Sequence, residues 1–250
     1  KSPAVICDDF PLRTAAERVL FTKCFNAGQV CTTVDHVYVP QSQVTSFVQM
    51  SKDIVKGRYP KISSKDYSSI IDQRAFDRIL AALEQAKAGG ATLIPLIPGK
   101  PWDAATRKIA PHIVLNAPAD CDLRTREIFG PILPVIGYQH VDETIAAINA
   151  GPRPLAFYPF SNDQERIQHF ITHVMSGGVT VNDSLLHTAQ HDLPFGGVGD
   201  SGMGHYHGYE GFMTFSKMRP VFYQAPFSAI KLMWPPYGKF ATTYLDFLTK

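Results

Sequence analysis

The chain has 250 residues, 45% hydrophobic and 18% charged, enough to bury a core as one large α/β domain or as one domain with an appendage. Its 24 basic and 22 acidic residues leave a net charge of +2 and are interspersed, so no basic tract marks a nucleic-acid or anionic-membrane surface, and small soluble partners fit better. Four irregularly spaced cysteines exclude a disulfide or zinc framework, and no uncharged apolar run reaches the roughly 18 residues of a membrane span.

That cysteine usage suits a reducing, cytoplasmic compartment, and no basic, apolar signal segment opens the sequence. KSPAVICDDF starts in mid-pattern, with a strand-like AVIC after three residues, and reads as a cut. PLRTAAERVLFTKCF follows with Pro11 in a first turn and Asp8 and Asp9 just ahead of it. Its apolar positions Leu12, Ala15, Ala16, Val19, Leu20 and Cys24 keep helical spacing, and Gly28 offers a stop. VDHVYVP alternates like a strand, QSQVTSFVQMSKDIVKG reads as a helix, and AFDRILAALEQAKAGG as a helix ended by paired glycines. ATLIPL and PHIVL are strand-like, and the order continues as PILPVIGY (strand), VDETIAAINAG (helix), LAFYPFS (strand), DQERIQHFITHVM (helix) and GGVTVN (strand). From about residue 183 the pattern loosens into a glycine- and histidine-rich stretch, followed by a short helix and the strand-like RPVFYQ. WPPYGKFATTYLDFLTK closes with an amphipathic segment suited to packing on a neighbour or over a cleft. The alternation predicts an α/β fold of three layers, a mostly parallel sheet with helices on both faces, and chemistry on loops at the strands' carboxyl ends.

Cys31 stands in NAGQVC between a helix and a strand, with Gly28 free to turn the backbone sharply and a peptide N–H beside the sulfur. An ordinary thiol, with a pKa of about 8.5, is a few per cent thiolate at neutral pH and needs a helix or a base to activate it. Read by itself, such a cysteine is as simply a small buried hydrophobe. Cys7, Cys24 and Cys121, in a strand, on a helix stripe and in a charged loop, are assigned to structure. Glu127 opens EIFGP, where a carboxylate can accept hydrogen bonds from a sugar diol while Phe129 packs on a flat heterocycle; a solvated turn and a core ring explain the same residues. Gly197, Gly199 and Gly202 spell GxGxxG without a preceding strand, so a tight surface loop explains them better than dinucleotide binding. His187 and His191 have metal-like spacing in a poor helix context, and no metal site is assigned.

Taken together, KSPAVI, FNAGQVC, EIFGP, SGGVTVND and PFGGVGDSGMGHYHG, in this order along nearly the whole chain, resemble the aldehyde dehydrogenase superfamily. SGGVTVND, AFYPFS and the glycine block look like its class 3 branch, and KSPAVICDDFPLRTAAERVLF with PPYGK leans toward bacterial coniferyl aldehyde dehydrogenases. The resemblance implies an NAD- or NADP-dependent oxidation in which Cys31 attacks an aldehyde, giving a thiohemiacetal and then a thioester. It implies that Glu127 holds the nicotinamide ribose, that Phe129 packs beside it, that Phe195 lines the substrate tunnel and that Asn182 lies near the site floor. It implies a catalytic domain at 1–215, an oligomerisation strand and tail at 216–250, and a homodimer. In this family KSP follows a glutamate-leucine-glycine-glycine run whose glutamate activates water, with the cofactor domain and an oxyanion-hole asparagine further upstream. None of these is among the 250 residues, so the expectation is weak NAD binding and little turnover for the chain by itself. A catalytically silent scaffold and a cysteine-dependent hydrolase stand as alternatives.

Overall fold

Seven strands form the central sheet of the computed structural model, which describes residues 1–249. In chain order these are β1 (Pro3–Ile6), β2 (His36–Pro40), β3 (Thr92–Pro95), β6 (His112–Leu115), β7 (Ile132–Tyr138), β8 (Ala156–Phe160) and β9 (Gly178–Val179); β4 (Trp102–Asp103) and β5 (Lys108–Ile109) form a separate small hairpin. Across the sheet the order is β3-β6-β7-β2-β1-β8-β9. Only β3 runs antiparallel to its neighbour, and the other five pairings are parallel.

The parallel strands need crossovers, and the helices supply them. These are α1 (Leu12–Cys24), α2 (Val44–Arg58), α3 (Gln73–Ala88), the short α4 (Asp122–Thr125), α5 (Val141–Asn149) and α6 (Gln164–His173). Successive residues of β1 point to opposite faces: Ala4 and Ile6 pack with Ala15, Val19, Phe47 and Val55 of α1 and α2, whereas Val5 packs with Ile145, Ile148 and Phe170 of α5 and α6. A third cluster, with Phe76, Ile79 and Leu83 of α3, covers Ile132 and Val114. The sheet is thus buried on both faces, the three-layer arrangement that the alternating sequence predicts.

The structure differs from these expectations at two places. The first helix stops at Cys24, ahead of the expected Gly28, because Asn26 (φ 49°), Ala27 (φ 52°) and Gly28 (φ 72°) all take the left-handed conformation. The segment GGVTVN forms a strand only over Gly178–Val179, although the Thr180 and Asn182 amides continue the contact by donating to Phe157 O and Pro159 O of β8. The structure divides into two units, Lys1–Thr214 and Phe215–Lys250. The first ends with α7 (Gly208–Thr214). In the second, RPVFYQ at 219–224 forms no strand within the single chain, where it finds no ladder partner among the described residues. The amphipathic end is the helix α8 (Lys239–Leu248), whose Phe240 and Tyr244 border an apolar groove of about 550 Å³ with Ala229, Ile230 and Met233.

Candidate active site

Cys31 occupies the turn between α1 and β2, and it is the exposed member of four free thiols; Cys7, Cys24 and Cys121 are buried. Burial pushes the Cys24 thiol up to about 12 and the Cys7 thiol up to about 11, which keeps both protonated. The turn itself is braced from several sides. Thr33 N–H donates to Val30 O at 3.0 Å, the Thr33 hydroxyl donates to Thr22 O at 3.0 Å, and the buried Tyr158 hydroxyl donates to Thr32 O at 2.5 Å. Among the described residues the Cys31 amide donates to no protein acceptor, so a donor remains beside the sulfur.

The Cys31 side chain opens on a cleft of about 410 Å³ lined by Lys1, Thr125, Glu127, Pro152, Leu155, Asp200 and Ser201. Cys31 and Glu127, nearly a hundred positions apart, therefore share one cleft. The Glu127 carboxylate is exposed and accepts no hydrogen bond among the described residues. Phe129, two residues on, is 38% exposed and left-handed at φ 49°. That conformation costs a non-glycine residue about 1–3 kcal/mol and persists only when its surroundings impose it.

Phe195 and Asn182 do not line this cleft. The Phe195 ring packs among Tyr206, His207 and His187 at centroid distances of 5.4, 5.9 and 6.3 Å. Asn182 joins the ends of β8 and β9: its side chain accepts from Ser161 N–H at 2.8 Å and donates to Ser161 O at 3.0 Å, and its carbonyl accepts from the Arg18 guanidinium. His187 shares a hydrogen bond with the Thr180 hydroxyl at 2.7 Å, while the His191 ring faces His207. Among the described residues no three His, Cys, Asp or Glu side chains gather to hold a metal. The GxGxxG glycines make a loop folded on itself, in which a Cβ on Gly197 would meet Ser201 O at 2.1 Å. That loop still matters, because it delivers Asp200 and Ser201 to the cleft.

The lining residues Lys1, Thr125, Asp200 and Ser201 escape a reading of the sequence. Asp200 and Ser201 lie inside the glycine motif and are hidden there by its backbone role. Lys1 and Thr125 carry no local signal at all. Two buried charges behind the site, Lys23 and Asp35, are equally silent in the sequence; each is 1% exposed.

The model of the aldehyde dehydrogenase family matches residues 1–221. A probable coniferyl aldehyde dehydrogenase of Pseudomonas aeruginosa is 46% identical over 240 residues, covering 96% of this chain and 50% of that protein. A substrate-bound AldH of Staphylococcus aureus superposes with a TM-score of 0.84 at 33% identity, over 100% of this chain and 54% of that one. An NADP-dependent glyceraldehyde-3-phosphate dehydrogenase from Bacillus halodurans, complexed with NADP, superposes with a TM-score of 0.74 at 26% identity, over 83% of this chain and 43% of that one. The chain spans about half the length of the curated relatives it matches. A match over residues 1–221, with the exposed cysteine and its cleft in place, establishes that this chain belongs to the aldehyde dehydrogenase family.

Proposed function

We propose that this chain carries the nucleophile of an NAD- or NADP-dependent aldehyde dehydrogenase that oxidises an aldehyde to its carboxylic acid. One observation carries the reading: Cys31, alone exposed among four thiols, faces the cleft that Glu127 also lines. After its proton leaves to solvent, the Cys31 sulfur attacks the aldehyde carbon, and the carbonyl electron pair moves onto oxygen. The unpaired Cys31 amide donates to that oxygen, a contact worth about 3 kcal/mol where such donors have been removed. The carbon then gives up hydride as its oxygen re-forms the double bond, leaving a thioester on Cys31. Attack by water releases the acid and restores the thiol.

The residues present fit a nicotinamide cofactor, since Glu127 offers an uncommitted carboxylate for ribose hydroxyls and Phe129 a partly exposed ring beside it. When bound, the nicotinamide supplies the hydride acceptor. The Bacillus halodurans neighbour complexed with NADP supports this class of cofactor. The family resemblance puts Phe195 and Asn182 on the substrate side, but neither lines the Cys31 cleft, so no substrate contact is assigned to them. An aromatic or long-chain aldehyde of the coniferyl type suits a chain with 16 Phe and 10 Tyr, and the Pseudomonas aeruginosa relative carries that substrate in its name. A homodimer and a cytoplasmic setting complete the reading, the latter fitting four unpaired thiols. No helix among the described residues is long and apolar enough to cross a membrane. Because the water-activating glutamate of the family motif is not among these 250 residues, turnover by this chain alone is low.

The test follows NADH absorbance with an aromatic aldehyde for the wild type and Cys31→Ala. Slow oxidation that the variant abolishes supports the reading. Release of p-nitrophenol from an ester with no cofactor-dependent oxidation favours a hydrolase instead, and silence in both assays a scaffold.

A further inference from the structure

The loop that presents Cys31 is bracketed by two buried charges, and both reach the loop that presents Glu127. Lys23, at the end of α1, donates from Nζ to Gly130 O at 3.1 Å. Asp35, just before β2, accepts from Ile128 N–H at 2.9 Å through Oδ1. A third side chain, Arg78 of α3, donates to Ile128 O at 2.6 Å. The backbone groups on either side of Phe129 are therefore held by charged groups from different elements, while Phe129 itself keeps a left-handed φ of 49°. Lys1 completes the set: it pairs with Asp35 and donates to Leu123 O at 2.9 Å and Arg126 O at 2.7 Å.

Burying Lys23 and Asp35 this deeply is costly unless each charge is matched and hydrogen-bonded. A core that needed only packing would use apolar residues of similar volume. Here each charge instead spends a hydrogen bond on the main chain beside Glu127 and Phe129. We propose that Asp35, Lys23 and Arg78 are positioning residues that clamp the Glu127–Gly130 loop in its strained conformation and tie it to the Cys31 loop, so that nucleophile and cofactor-facing residues keep a fixed spacing. This rests on the reading of Cys31 and Glu127 given above.

Amide hydrogen exchange on the full 250-residue chain tests it, with Ile128 read as a ratio to Val37 of β2. Asp35→Ala is expected to speed Ile128 exchange at least tenfold relative to Val37. Asp35→Asn, which keeps an oxygen for the amide, brings the ratio back to within about threefold of wild type. Arg78→Ala, a half-buried helix position that spares the fold, is expected to raise the ratio threefold or more. A merely structural role would speed both amides together and show no rescue. An unchanged ratio in both Asp35→Ala and Arg78→Ala, or no recovery in Asp35→Asn, overturns the clamp. If Asp35→Ala fails to fold, Arg78→Ala and Asp35→Asn decide alone. Iodoacetamide labelling of the same wild-type sample is read separately. Absent selectivity for Cys31 there counts against the proposed function, while the exchange ratios still report on the clamp.

Discussion

Gly28 and Gly130 meet backbone to backbone: a Cβ placed on Gly28 would lie 2.3 Å from Gly130 O. The contact joins the two loops of the site at the point where the chain turns toward Cys31. Gly28 is also left-handed at φ 72°, so both space and conformation demand glycine there. Gly28→Ala is expected to lower stability by about 2–4 kcal/mol, from the positive φ together with a clash against main chain that cannot rotate away. A urea melt measures the loss, and Cys31 is expected to lose its selective labelling in the same variant. An unchanged midpoint would contradict the geometry.

Tyr158 braces the far side of the same turn through its hydroxyl on Thr32 O, 2.5 Å away in a fully buried setting. Tyr158→Phe keeps the ring and removes the donor, leaving a buried carbonyl without a partner. The expected cost is about 1–3 kcal/mol, read as a lower urea midpoint at constant slope. Loosening the turn is also expected to change the alkylation rate of Cys31 while leaving those of Cys7 and Cys24 unaffected.

Acid sensitivity follows from His36. Burial, the largest cause, holds its imidazole down to about 4 from an ordinary 6.5, partly offset by the neighbouring Asp35. Between those values the unfolded chain binds a proton that the folded chain refuses. The stability from neutral His36 is therefore complete above pH 6.5 and is lost as pH falls toward 4. The loss is on the order of 3 kcal/mol at most. Urea melts across this window are expected to show a smaller decline for His36→Gln than for the wild type; parallel curves would contradict the assignment.

Much of the fold is legible in the sequence because burial imposes periodicity. Val19 and Leu20 of α1, or Val37 and Val39 of β2, announce their faces by spacing alone. The hairpin of β4 and β5 escapes such reading, since strands of two residues are too short to show a period. RPVFYQ shows a different limit: its composition favours a strand, but a strand needs a partner, and the single chain supplies none among the described residues. At the site, Cys31 and Glu127 stand out through the ordered motifs FNAGQVC and EIFGP that carry the family resemblance, since each residue by itself also reads as an ordinary thiol or a solvated turn. Lys23 and Asp35 do not, because what they do is defined by contacts across about a hundred residues, and a buried charge looks in sequence like any solvated one.

The proposed function depends on the chemistry of one sulfur. The most direct measurement treats the native chain with iodoacetamide at pH 7 and follows each cysteine peptide by mass spectrometry, with free glutathione as reference. Cys31 is predicted to react at least tenfold faster than Cys7, Cys24 and Cys121, and faster than glutathione, with the four thiols converging in urea. A Cys31 that labels no faster than the buried three, or not at all, would contradict the account.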